Sequence, residues 1–166
     1  MEVLEVEVVH LVVSPAHAYE GRPADGPTEV ATSDLEEVEV VAGKGVRGDR
    51  FFARRAHSTS AVTLIALEGL RDMAREIGLG EPDPLLARRT VVLGGVSAAQ
   101  VHALAGREFA LGGIGFRGGR PASPCAWMDV VYAPGAFRAM RGRGGLRCAP
   151  TTSGVLRRGT TTLTLP

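Results

Sequence analysis

The sequence predicts a single domain of mainly β structure with a few helices, an α+β arrangement drawn as a mixed β-barrel with peripheral helices. Three observations predict it. Apolar runs are short, of strand length, and recur along the whole chain. Only two or three stretches carry helical spacing. Glycine, 22 of 166 residues, stands at most junctions, which suits tight turns between short strands better than the crossovers of a βαβ sheet. No repeat or long linker divides residues 1–166. A chain of this length buries roughly 70% of its unfolded surface around one core, without metal or disulfide staples.

The elements follow in order. Val3–Val13 starts with β-branched residues alternating with Glu5 and Glu7, then turns wholly apolar. It reads as a strand with one wet face near its start. Ser14–Thr32, rich in Pro, Gly and Ala, reads as a loop or insertion. Leu35–Val41 alternates Glu with Val and reads as a second strand. Gly43–Arg50 is a glycine-rich loop with three cations. Ala61–Ile65 is a short apolar strand. From Ala66 the period changes: Leu67, Leu70, Met73, Ala74 and Ile77 keep helical spacing, and Gly78 sits where a C-terminal cap belongs. Thr90–Leu93 is a strand. Ser97 and Gln100 have capping-box spacing, so Ser97–Leu104 should be a short helix. Phe109–Leu111 and Ile114–Phe116 are strands around Gly112-Gly113. A helix is expected near Pro134–Arg141, and Thr160–Leu165 is a closing strand.

The formal net charge of +1 hides an asymmetry. Residues 1–40 hold ten acids and one base, Arg22, and residues 41–166 hold eight acids and eighteen bases. No acid follows Asp129, whereas Arg138, Arg141, Arg143, Arg147, Arg157 and Arg158 do. Lys44 is the sole lysine, so a Schiff base on this chain would have to use it. The glycine and proline content excludes a coiled coil. The acidic start lacks a signal-peptide n-region, and no apolar run approaches the ~18 residues of a membrane span. A cytoplasmic protein without membrane contact is the expectation.

Cys125 and Cys148 form no Cys-x-x-Cys pair, and the four histidines give no zinc spacing. A lone thiol is therefore a better candidate for chemistry than a cage of protein ligands. Pro124 fixes its own φ and biases Ser123 to extended geometry, so the chain enters Cys125 stiffly. A stiff approach can hold sulfur at a defined point, where a thiolate is both nucleophile and soft-metal ligand. The competing reading is that a free cysteine is a small buried hydrophobe, and Cys148 is assigned to it. Trp127 and Met128 read as core.

Gly43–Arg50 could cradle an anion through exposed N–H groups and the cations Lys44, Arg47 and Arg50. It lacks the Walker order. Of Arg88-Arg89, one should face solvent and the other could face a pocket. The arginines after Asp129 could grip nucleic acid. With aromatics at 5% of the chain, stacking platforms are scarce and nucleic acid is not the favoured partner.

Taken in order, these pieces resemble the MOSC domain, named for the C-terminal domain of molybdenum-cofactor sulfurase. Val46-Arg47-Gly48-Asp49-Arg50 is similar to the family's Gly-Asp-Arg element. Arg88-Arg89-Thr90-Val91-Val92 resembles its Arg-Asn-hydrophobic element, with Thr90 where Asn is expected. Phe109-Ala110-Leu111-Gly112 and Pro124-Cys125 resemble its Phe-x-hydrophobic-Gly strand and its Pro-Cys. Ser153–Gly159 and the Thr/Leu strand resemble its close. The resemblance implies a stand-alone MOSC-type β-barrel with one functional thiol. It further implies that Cys125 carries sulfur as a persulfide or ligates molybdenum of a bound molybdenum cofactor, with Lys44, Arg50 and Arg89 contacting anions. Gly48, Asp49 and Thr90 would shape that pocket. A sulfur donor or redox partner protein, and reduction of N-hydroxylated compounds, are implied for some members. Pyridoxal phosphate attaches to the family through a separate sulfurase domain, and none is expected covalently here. The alternative is a non-catalytic module that binds anions or nucleic acid through its Arg-rich C-terminal third.

Overall fold

The structure is a computed structural model that describes all 166 residues. In chain order its strands are β1 (Glu2–Val13), β2 (Ser33–Asp34), β3 (Glu37–Val41), β4 (Gly45–Val46), β5 (Val62–Ala66) and β6 (Val91–Gly94). They continue with β7 (Glu108–Leu111), β8 (Ile114–Pro121), β9 (Leu146–Pro150), β10 (Gly154–Arg157) and β11 (Gly159–Leu165). The helices are α1 (Leu67–Glu76), α2 (Ala98–His102), α3 (Trp127–Val131) and α4 (Ala136–Ala139).

Seven strands close into a ring in the order β1-β11-β7-β8-β9-β5-β6, and β6 returns to β1. The pair β5–β6 is parallel, as the helical crossover α1 between them requires. All other pairings are antiparallel. A small sheet, β10-β3-β4, lies beside the barrel and adds Val38, Val40, Val46 and Leu156 to its core.

The patterns in the sequence map onto this ring. Val6 and Val8 of β1 point inward while Glu5 and Glu7 stay wet. β5, apolar but for Thr63, is covered on both faces. Val62, Leu64 and Ala66 fill the barrel, and Ile65 packs outward with Leu70, Met73, Trp127, Met128 and Met140 beneath the helices. Phe109 and Phe116 stack inside the barrel with ring centroids 5.6 Å apart. Ser97 and Gln100 make the expected capping box on α2.

Several expectations need correction. β8 runs to Pro121, well past Phe116, because Gly118 is squeezed against the loop after α2. A Cβ on Gly118 would lie 2.0 Å from the Leu104 carbonyl oxygen, so the strand continues there without side chains to mark it. β9, β10 and α3 were not expected at all, and the helix expected near Pro134–Arg141 is reduced to Ala136–Ala139. Three of the six arginines after Asp129 pair with acids of the same chain. Arg157 pairs with Glu37, Arg158 with Asp34 and Glu36, and Arg143 with Glu76. Pairing of β10 with β3 thus sets part of the basic tail against the acidic N-terminal stretch.

Candidate functional site: a thiol in an arginine-lined cleft

The loop that carries Cys125 leaves β8 and enters α3. Its path is fixed by backbone packing. Ala122 N–H donates to the Gly145 carbonyl at 2.8 Å. A Cβ on Gly144 would lie 2.1 Å from the Ala122 carbonyl oxygen, and one on Gly145 2.1 Å from that of Leu64. Only glycines let the Gly144-Gly145 turn seat this loop against the barrel. Arg89 fastens the loop from the other side, donating from Nε to the Gly144 carbonyl at 2.9 Å and from a terminal nitrogen to the Ser123 carbonyl at 3.5 Å. Pro124 and Cys125 follow, and Met128 N–H donates to the Cys125 carbonyl at 3.0 Å as α3 begins. Cys125 is exposed and Cys148 is buried, and both thiols are free.

Cys125 opens onto a cleft of about 230 Å³. Arg50, Arg88, Arg89 and Arg147 line it together with His17 and Tyr19, and no carboxylate does. The positive charge is deliberately supported from below. Asp49, buried under Arg50, accepts from an Arg50 terminal nitrogen at 3.2 Å and from Ser14 N–H at 3.2 Å. The other Arg50 terminal nitrogen donates to the Arg88 carbonyl at 3.2 Å. Phe51 lies under the Arg50 guanidinium at 4.5 Å, a cation–π contact. Arg50 Nε is buried without a partner.

Crowding and burial act on these cations. Arg89 is pulled down to about 10, first by burial and then by Arg147, with the Cys125 thiolate opposing. Burial also lowers Arg50, against the pull of Asp49 and with repulsion from Arg88. Arg88 is lowered by burial. An arginine side chain is cationic at neutral pH, and only Arg50 here has a carboxylate partner, so the cleft holds an excess of positive charge that an anion would neutralise.

The cleft is not isolated. A second cleft of about 240 Å³ shares Arg50, Arg88, Arg89 and Arg147 with it and adds His57, Ser60 and Thr63. A third, of about 500 Å³, shares His57, Ser60 and Arg147 with the second and runs on to Arg120. Together they form one polar groove with Cys125 near one end.

The structure brings Cys125, Arg50 and Arg89 together at this cleft. Asp49 acts behind Arg50. Gly48, at φ +90°, turns the chain before Asp49. Thr90 is buried, accepts weakly from Thr63 N–H at 3.4 Å and lends its own N–H to the Thr63 hydroxyl at 2.9 Å. It braces β5 against β6 behind the groove and offers it no side chain. Lys44 lies in the exposed turn before β4 and lines none of these three clefts. Sequence reasoning missed Arg147 and Tyr19 as lining residues, and expected one of Arg88 and Arg89 to face solvent; both line the cleft.

No three His, Cys, Asp or Glu side chains converge on a metal-sized site. A metal at Cys125 would therefore take one ligand from the protein and the rest from a bound group. The residues fit such a group when it is anionic, because four arginines line the cleft with the thiol, only Arg50 among them has a carboxylate partner, and the Arg50 Nε has none.

No family model and no curated protein matches the sequence. Solved structures do match. YuaD from Bacillus subtilis superposes with a TM-score of 0.75 at 14% identity, over 98% of this chain and 96% of its own. YiiM from Geobacillus stearothermophilus gives 0.66 at 15% identity, over 97% and 75%, and YiiM from Escherichia coli 0.61 at 17%, over 92% and 70%. These likenesses show the fold: a MOSC-type closed seven-strand barrel, the mainly β barrel that the sequence predicted, with four helices in place of the two or three expected.

Proposed function

We propose that this MOSC-fold chain serves molybdenum-cofactor chemistry, binding the anionic cofactor in the arginine groove with the Cys125 sulfur as its contact to the metal. One observation carries the reading. The only exposed cysteine opens onto a cleft that holds four arginines and no acid.

Arg89, Arg50 and Arg147 would bind and orient the anion, since a guanidinium fork suits the phosphate of such a cofactor. Asp49 keeps Arg50 turned into the cleft. The rigid Pro124 and the Gly144-Gly145 seat hold the sulfur in place. The cofactor, when bound, would supply two-electron and oxygen-transfer chemistry. The finer proposal is reduction of an N-hydroxylated compound, N–OH to N–H and water, with two electrons from a redox partner protein and two protons from solvent. The alternative use of the same thiol is as a persulfide, loaded by a sulfur-donor protein that meets Cys125 at its exposed edge.

The test is co-expression with cofactor synthesis, followed by metal analysis and pterin fluorescence on wild type and Cys125→Ser. Wild type should carry molybdenum and pterin, and Cys125→Ser should lose the metal. Equal cofactor and equal persulfide in both proteins sinks the reading. Ion pairing of Arg143, Arg157 and Arg158 with acids of the same chain weakens the nucleic-acid reading. Steep salt-dependent polynucleotide binding that ignores Cys125 would restore it.

A further inference from the structure

Arg88, like its neighbour Arg89, donates to backbone carbonyls of a loop that lines the cleft, but the loop is a different one. The Arg88 backbone is left-handed, at φ +55°, a conformation that side chains other than glycine rarely adopt. It is 9% exposed and has no carboxylate partner. Its guanidinium turns away from the barrel to the segment Ser14–Thr32, donating to the Ala16 carbonyl at 2.7 Å and to the Thr32 hydroxyl at 3.1 Å. The Tyr19 ring lies 5.6 Å below it. Arg88 thus holds the two ends of that segment together.

The segment buries little of itself. Between Pro15 and Thr32 only Ala18 is buried. Its other ties are the Ser14 hydroxyl to the Ala31 carbonyl at 2.6 Å and the Ala16 carbonyl at 3.1 Å, Thr28 N–H to the Ala18 carbonyl at 2.8 Å, the Tyr19 hydroxyl to the Leu86 carbonyl at 2.5 Å, the Tyr19 ring stacked on Trp127 at 5.4 Å and the His17 ring edge-on to Phe51 at 5.4 Å. Yet His17, Ala18 and Tyr19 form one wall of the Cys125 cleft. A stretch with so little buried surface is the kind that opens locally before the core does.

We propose that Arg88 is a positioning residue: it fastens Ser14–Thr32 as a wall of the Cys125 cleft and thereby sets what size of ligand reaches the sulfur. Its relevance to a ligand rests on the proposed role of Cys125, but the wall itself is testable without molybdenum. The left-handed backbone has a purpose in this arrangement. It aims the side chain at the segment while the Arg88 carbonyl still faces Arg50, so one residue ties the wall to an anion-facing arginine.

The experiment compares alkylation of Cys125 by small iodoacetamide and bulky pyrene maleimide in wild type, Arg88→Met and Thr32→Val, with amide hydrogen exchange on the same proteins. Arg88→Met should raise the pyrene-to-iodoacetamide rate ratio about fivefold or more, and speed exchange roughly tenfold within residues 16–32 while the barrel strands keep their protection. Thr32→Val, which removes one acceptor of the clamp, should move both readouts the same way by less. Cys148 reports on the barrel. If it becomes reactive in Arg88→Met, the fold has loosened and Thr32→Val decides. An unchanged rate ratio together with unchanged exchange in Thr32→Val and in a folded Arg88→Met overturns the proposal. Normal clamp behaviour in a protein that never takes cofactor would instead count against the proposed function alone.

Discussion

Cys148 and Cys125 sit in two regions built on opposite terms. Around Cys148, on β9, the barrel interior is dry. The thiol is fully buried, its only polar contact is with the Val62 carbonyl at 3.4 Å, and burial pushes its pKa up. Around Cys125 the protein gathers more positive charge than it neutralises, and the loop is seated by glycines and carbonyl contacts above the buried Trp127 and Met128. The interior is arranged for stability and the cleft for an incoming partner. The same residue type is an inert hydrophobe in one and a presented nucleophile in the other, which no local sequence rule distinguishes.

The largest expected difference is chemical access. In the folded protein Cys148 should alkylate at least ~10³-fold more slowly than Cys125, because it must wait for an opening of ~5 kcal/mol or more. In urea the two rates should converge. Similar rates without denaturant would erase the contrast.

The next difference is in stability. Phe116→Ala removes a ring from the filled barrel and should cost about 3–5 kcal/mol in a denaturant melt. Cys125→Ser should stay within ~0.5 kcal/mol, as for other exposed positions. A Cys125→Ser loss as large as that of Phe116→Ala would mean that the cleft is also core.

Charge should show next. A negative reagent is drawn to the cleft, so the iodoacetate-to-iodoacetamide rate ratio at Cys125 should exceed that of a free thiol by about tenfold at low salt. Arg89→Met should lower that ratio, and ~1 M salt should bring it towards the free-thiol value. A salt-independent ratio would remove the electrostatic account.

The smallest effect belongs to a flaw in the otherwise satisfied scaffold. His102 Nε2 is buried without a partner, and burial lowers its pKa, partly offset by a backbone hydrogen bond with Gly145. The unfolded chain therefore takes up a proton near pH 6.5 that the folded chain resists, and stability falls as pH drops through that value. Allowing for solvent screening, His102→Gln should recover no more than ~0.5 kcal/mol of the acid loss. A larger acid loss in the variant than in wild type would reverse the assignment.

The scaffold was more legible in the sequence than the cleft, for physical reasons. β5, α1 and the capping box of α2 announce themselves through period and spacing, which are local. β9 did not, since Leu146-Arg147-Cys148-Ala149-Pro150 offers only a brief alternation, and with it went Arg147 as a cleft residue. β8 was cut short because Gly118 carries no side chain to show the pattern. Cys125 and Arg89 could be picked out by residue type and motif order. The role of Arg88 could not, because it depends on a left-handed backbone and on partners at Ala16 and Thr32, far away in the chain. Lys44 shows the converse: its glycine-rich surroundings suit an anion, but the turn that holds it lies apart from the groove.

The ring itself has a consequence for how the protein folds. β11 pairs with β1 on one side, Glu2 opposite Leu165, and with β7 on the other. Until Gly159–Leu165 docks, both neighbours present bare strand edges, and the barrel has to wait for the pairing most distant in sequence. A chain in which that strand is displaced would keep both edges open to edge-to-edge association with other chains.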